Sequence, residues 1–188
     1  MITPNPDDET VTIGFSPDEA SLVKYAIRKH AQAEGEPPVV RATRWIKQFD
    51  KQPMFAGFPD EIWDDPSSPE ELLACFNEND NRATFSNKHE SEVEICVLSM
   101  LLQMTRMGEQ ERLQQAKPIV ESALDKLSSA ADEYFWFLSP EEQEARDREL
   151  VERYEEAYPD MGGDKEEVLD QLKREREQQR KEREGESQ

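Results

Sequence analysis

Apolar residues recur at intervals of three and four along most of this chain, the period of a helix with one buried face. Over 17–33 the stripe is Leu22, Tyr25, Ala26 and Ala33, closed by Gly35 and Pro37-Pro38. A second helix is expected over 39–51 on Val40, Trp45, Ile46 and Phe49. The strongest signal spans 89–107, where Val93, Val97, Met100, Met104 and Met107 repeat at four and three. Cys96, Leu98, Leu101 and Leu102 widen that stripe almost to a full circle, so this helix is expected at the centre. Leu113, Ala116, Val120, Ala123, Leu127 and Ala130 continue the repeat, with Pro118 expected to kink the helix or mark its true start. A short helix is expected over 69–77, another amphipathic helix over 140–158, and a last one after Asp164 that carries Val168, Leu169 and Leu172.

Period two appears once. Thr10-Val11-Thr12-Ile13-Gly14-Phe15 alternates and predicts a strand. A lone strand leaves its edges unpaired. Val39-Val40, Ala83-Thr84-Phe85 or another chain are the partners available.

Helix starts are written three times in one form: Ser16-Pro17-Asp18-Glu19, Ser68-Pro69-Glu70-Glu71 and Ser139-Pro140-Glu141-Glu142. Ser is the N-cap, Pro takes the first helical position where its missing N–H costs nothing, and Glu at the third position reaches back to the cap. Ser-Pro is also a kinase target, but a cap is the better reading at all three. Breakers at Pro53, Gly57, Pro59 and Pro66 exclude a helix over 52–67, leaving an apolar loop with Met54, Phe55, Phe58, Ile62 and Trp63. Tyr134-Phe135-Trp136-Phe137-Leu138 is too short to assign by period; it closes the core or joins an oligomer interface.

The pattern therefore predicts a mainly α fold, an irregular bundle of about six helices with at most a minor β element near the N-terminus. Residues 1–9 are expected as a flexible lead, 10–172 as a single helical domain, and 173–188 as a charged tail, a frayed helix or disordered because nothing apolar follows Leu172.

Composition adds charge to this picture. With 43 acidic and 23 basic residues the 188-residue chain carries a net charge of −20. Residues 20–52 run against that balance, holding seven bases and three acids. Arg41, Arg44, Lys47 and Lys51 lie at three- and four-residue spacings and form a basic stripe on the second helix. Such a stripe either pairs with the chain's own acids or docks an acidic partner. The acidic surface argues against direct binding of nucleic acid or an anionic membrane. No apolar run approaches the ~20 residues that span a bilayer, and the polar, acidic opening is unlike a secretory signal. The expectation is a soluble, cytoplasmic protein with Cys75 and Cys96 reduced.

Chemistry has little support. His89, Glu92 and Cys96 share a helix face, and His30 with Glu34 could complete a two-helix metal site. That set is a weak candidate, because helical di-metal sites need two Glu-x-x-His pairs and further carboxylates. There is no Gly-x-Ser-x-Gly and no Gly-rich phosphate loop. No cofactor is expected, and an enzyme is disfavoured. The leading expectation is a non-enzymatic protein-interaction or assembly protein, self-associating or part of a larger complex. Its partner-binding candidates are Arg41, Arg44, Lys47, Lys51, Phe55, Phe58, Trp63, Phe135 and Trp136. The alternatives are an acidic mimic of nucleic acid that regulates a DNA- or RNA-binding protein, and a housekeeping protein adapted to high salt.

Overall fold

A computed structural model describes residues 1–31, 36–47, 58, 61–106, 111–157 and 165–186, with the backbone alone at 111–114, 153–157 and 183–186. Its described residues are mainly α-helical, with eight helices and one small antiparallel sheet.

The sheet has three strands in the order β1 (Ile2–Asn5), β2 (Thr10–Gly14), β3 (Arg82–Ser86). β2 is paired on both sides within the chain: Thr3 and Thr84 both lie opposite Thr12, and Phe85 opposite Val11. Of the partners foreseen for β2, 83–85 is the one used, while Val39-Val40 lies in a helix. The inward residues Val11, Ile13, Ala83 and Phe85 are buried, and Thr3, Thr12 and Thr84 line the other face. A single 3₁₀ turn, Pro6–Asp8, joins β1 to β2 and closes on Glu9 in the left-handed region (φ 51°). The first nine residues, expected as a flexible lead, are thus a strand and its turn. Pro4 and Pro6 hide that strand from a propensity reading, and its pairing to β2 supplies what local sequence does not.

Helix α1 (Pro17–His30) buries Ala20, Val23, Ala26, Ile27 and His30, and α2 (Pro38–Lys47) buries Val39, Ala42, Thr43 and Ile46. The expected helix-free span 52–67 does contain one turn, α3 (Glu61–Asp64), which fits between Pro59 and Pro66 and buries Ile62. After α4 (Pro69–Ala74), residues 75–77 pair with the outer edge of β3 through Thr84 N–H to the Cys75 carbonyl (2.9 Å) and Asn77 N–H to the Arg82 carbonyl (2.9 Å). Helix α5 (Asn87–Arg106) is central, as its pattern predicts, and packs against α1, α2, α3, α6 and β3. Helix α6 (Glu111–Phe135) runs through Pro118, so that residue does not mark its start, and it buries Val120, Ala123, Leu127, Ala130 and Tyr134 at alternating spacings of three and four.

The contacts divide the chain into two units, one of residues 1–51 with 58–137 and the other of 52–57 with 138–188. In the second, α7 (Pro140–Ala157) pairs with α8 (Lys165–Glu186). The single expected domain over 10–172 therefore has a division within it, and the tail, expected as a frayed helix or disordered, is helical to Glu186. The reason is electrostatic. Arg180 donates to Gln143 (2.6 Å), Arg176 faces Asp147 (3.7 Å) and Lys165 faces Glu152 (3.0 Å), so α8 is held along α7 mainly by polar groups.

Candidate functional site

The basic stripe sits on α2, whose apolar face locks it into the core while the opposite side meets solvent. Arg44 is exposed and paired with Glu36 through both guanidinium nitrogens. Lys47 is exposed and lies 6.0 Å from the ring centroid of Trp63, and Trp45 is 37% exposed. Trp63 is half-buried on α3, so the two helices together present tryptophan and cation side by side. Arg41 is half-buried at the other end of the stripe. Lys51 and Phe55 lie outside the described residues, and Phe58 is half-buried. Phe135 is only 8% exposed and belongs to the core, which removes it from the partner-facing set; Trp136, half-buried, meets it edge to face at 5.6 Å.

The metal candidates do not converge. His30 is buried on α1. His89 is half-buried, one turn into α5, beside Lys88 and Glu71. Glu92 is buried and accepts the Ser67 N–H (2.7 Å), and Glu34 lies outside the described residues. Among the described residues no group of three His, Cys, Asp or Glu could hold a metal ion. Burial pushes the Cys75 thiol up to about 11 and the Cys96 thiol further, so neither is a thiolate near neutral pH.

Two clusters went unforeseen. On α5, Glu90 is fully buried with neither carboxyl oxygen hydrogen-bonded. Burial, then the charges of Glu94 and Asp132, raise its pKa well above the ordinary carboxylate value. Glu94, raised mainly by burial, accepts a hydrogen bond from Ser128 of α6. At the junction of α1, α2 and α5, Lys29 donates to Gln103 (2.6 Å), and Arg41 lies close enough to depress both Lys29 and His30. Burial first, then those two cations, lower His30 to about 4, and its Nε2 has no partner.

In the α7–α8 unit a groove of about 390 Å³ is lined by Glu144, Asp147, Lys173 and Arg176 among others. Lys173 faces Glu144 (4.0 Å) and Arg176 faces Asp147 (3.7 Å) across it. Among the described residues no helix is long and apolar enough to cross a membrane.

Comparison of the chain with known protein families, curated proteins and solved structures finds no match.

Proposed function

We propose that this chain is a non-enzymatic protein-interaction protein that docks an acidic segment of a protein partner on the solvent side of α2 and the adjoining Trp63. The observation that carries this reading is the grouping of Arg44, Trp45 and Lys47 on one exposed side of a helix whose other side is fixed in the core. Trp and Arg are the residues most enriched at binding hot spots, because they offer large rigid contact area together with directed donors. In a chain of net charge −20, Lys47 together with Arg44, which an acidic partner would take over from Glu36, is where such a partner meets attraction.

The test is the double charge reversal Arg44→Glu, Lys47→Glu, compared with wild type in affinity capture from the native host and in a thermal melt. Wild type recovers a stoichiometric protein partner that high salt releases. The variant loses that partner by roughly tenfold or more while melting within about 0.5 kcal/mol of wild type. A partner retained by the folded variant, or no partner for wild type, refutes the reading.

A further inference from the structure

Arg44 is engaged before any partner arrives. Its terminal guanidinium nitrogens donate to different oxygens of the Glu36 carboxylate, Nη1 to Oε2 at 3.2 Å and Nη2 to Oε1. This is the fork-to-fork geometry by which an arginine holds a carboxylate from any source. The arginine stays open to solvent while it does so: its side chain is 62% exposed and that of Glu36 21%. Glu36 is followed directly by Pro37 and by Pro38, the first residue of α2. A residue before proline is confined to extended backbone, and proline fixes its own φ. The tether from Glu36 to α2 is therefore short and stiff. Glu36 offers its carboxylate to Arg44 as a tethered ligand does, at an effective concentration on the order of millimolar.

We propose that Glu36 is the docking face's own stand-in ligand, and that the partner which displaces it presents two or more adjacent carboxylates. The proposal rests on the docking reading above and adds to it the chemistry of the partner and a threshold for its binding. A single incoming carboxylate gains at Arg44 only what Glu36 already supplies, so that exchange is close to neutral. A run of acids gains more. While its first carboxylate replaces Glu36, a second reaches Lys47, three residues along α2. Residues three apart on a helix are neighbours on its surface, which suits acids close together in sequence. Lys47 lies 6.0 Å from the Trp63 ring centroid, so the second contact forms against an aromatic surface rather than in open water. Displacing Glu36 lowers every affinity by the same factor. A lone acid, weak already, falls below useful binding, whereas a run held at Lys47 as well stays above it. An exposed ion pair is only modestly stable, so Glu36 lowers affinity by about two- to sixfold, according to the share of Arg44 it occupies.

NMR titration of the isotope-labelled protein with two synthetic peptides tests the proposal, one with four adjacent glutamates and one with a single glutamate among serines and glycines. The spectra also report that each variant is folded. The tetraglutamate peptide shifts the resonances of α2 and the Trp63 indole, and it binds wild type more tightly than the single-glutamate peptide does. Glu36→Gln tightens the tetraglutamate peptide about two- to sixfold. Arg44→Gln weakens it, and adding Glu36→Gln to Arg44→Gln brings no further gain. Lys47→Gln narrows the difference between the two peptides. Unchanged or weaker binding by Glu36→Gln, or the same gain in the Arg44→Gln background, would overturn the proposal and leave the docking reading in place. Equal affinity of wild type for the two peptides would refute the need for adjacent carboxylates. Absence of any shift at α2 in both wild type and Glu36→Gln would also overturn the proposal, and capture from the host then decides the docking reading by itself.

Discussion

A carboxyl group enclosed on every side, with neither oxygen hydrogen-bonded, is tolerable only as the neutral acid. Glu90 is in that position. Its folded pKa lies above its unfolded value of 4.5. The folded state therefore holds the proton after the unfolded state has released it, and stability falls as pH rises above about 4.5. Glu90→Gln removes the dependence: thermal melts of variant and wild type should agree near pH 4 and diverge toward pH 8, with the variant the more stable. Equal melting across that range would mean that the carboxyl is hydrated and ionised in the native protein. Glu19 is the opposite case. Burial raises it, but hydrogen bonds from Lys126 (2.6 Å), Ser122 (2.6 Å) and the Ser16 N–H (2.6 Å) prevail and bring it down to about 2. Its contribution is present above pH 4.5 and is lost as pH falls toward 2. The position of Glu90 was open to reading in the sequence. It continues the Val93, Val97, Met100 repeat one step upstream, an acid where the stripe asks for an apolar residue. The Glu19–Lys126 pair was not, because its members stand 107 residues apart.

Helix starts are local chemistry, and they were legible. Ser16, Ser68 and Ser139 each accept the N–H of the third helical residue, and Glu19, Glu71 and Glu142 each accept the N–H of the cap. Ser16→Ala should cost about 1 kcal/mol in a denaturant melt, the usual value of an N-cap. Lys126→Met should cost more, about 3 kcal/mol, since it strands the Glu19 carboxylate that ties α1 to α6. If the two variants cost the same, the ion pair is not what joins the helices. Strands were harder to read than helices. β2 shows its alternation, but β1 contains Pro4, and β3 lies in a turn-rich stretch whose edge is completed by residues 75–77. The stripe of α2 was likewise legible as a pattern, whereas the division of labour along it was not: Arg44 and Lys47 meet solvent, while Arg41 is drawn in beside Lys29 by the packing of α2 on α1.

For the molecule as a whole the excess of acid is a standing repulsion. α8 offsets part of it by setting Lys173, Arg176 and Lys165 opposite Glu144, Asp147 and Glu152 of α7. The remaining repulsion is screened by salt, so the melting temperature should rise between 20 mM and 500 mM sodium chloride (conditions about 21 Å and 4 Å in Debye length). The division at 137 and 138 gives a second expectation. A fragment of residues 1–137 should keep a single cooperative melt and its helical circular dichroism, because the buried apolar residues of the first unit are supplied within it. Non-cooperative melting of that fragment would show that the α7–α8 hairpin completes its core.

The sheet carries a consequence for the order of events at the ribosome. Thr12 and Thr84 share a hydroxyl contact across 72 residues of sequence. At ~5–20 residues per second of synthesis, the first hairpin waits about 4 to 14 s for the strand that covers its edge. A two-stranded hairpin alone is marginal in water. During that interval Val11 and Ile13 are open to whatever meets the nascent chain, and the arrival of β3 with α5 ends the exposure.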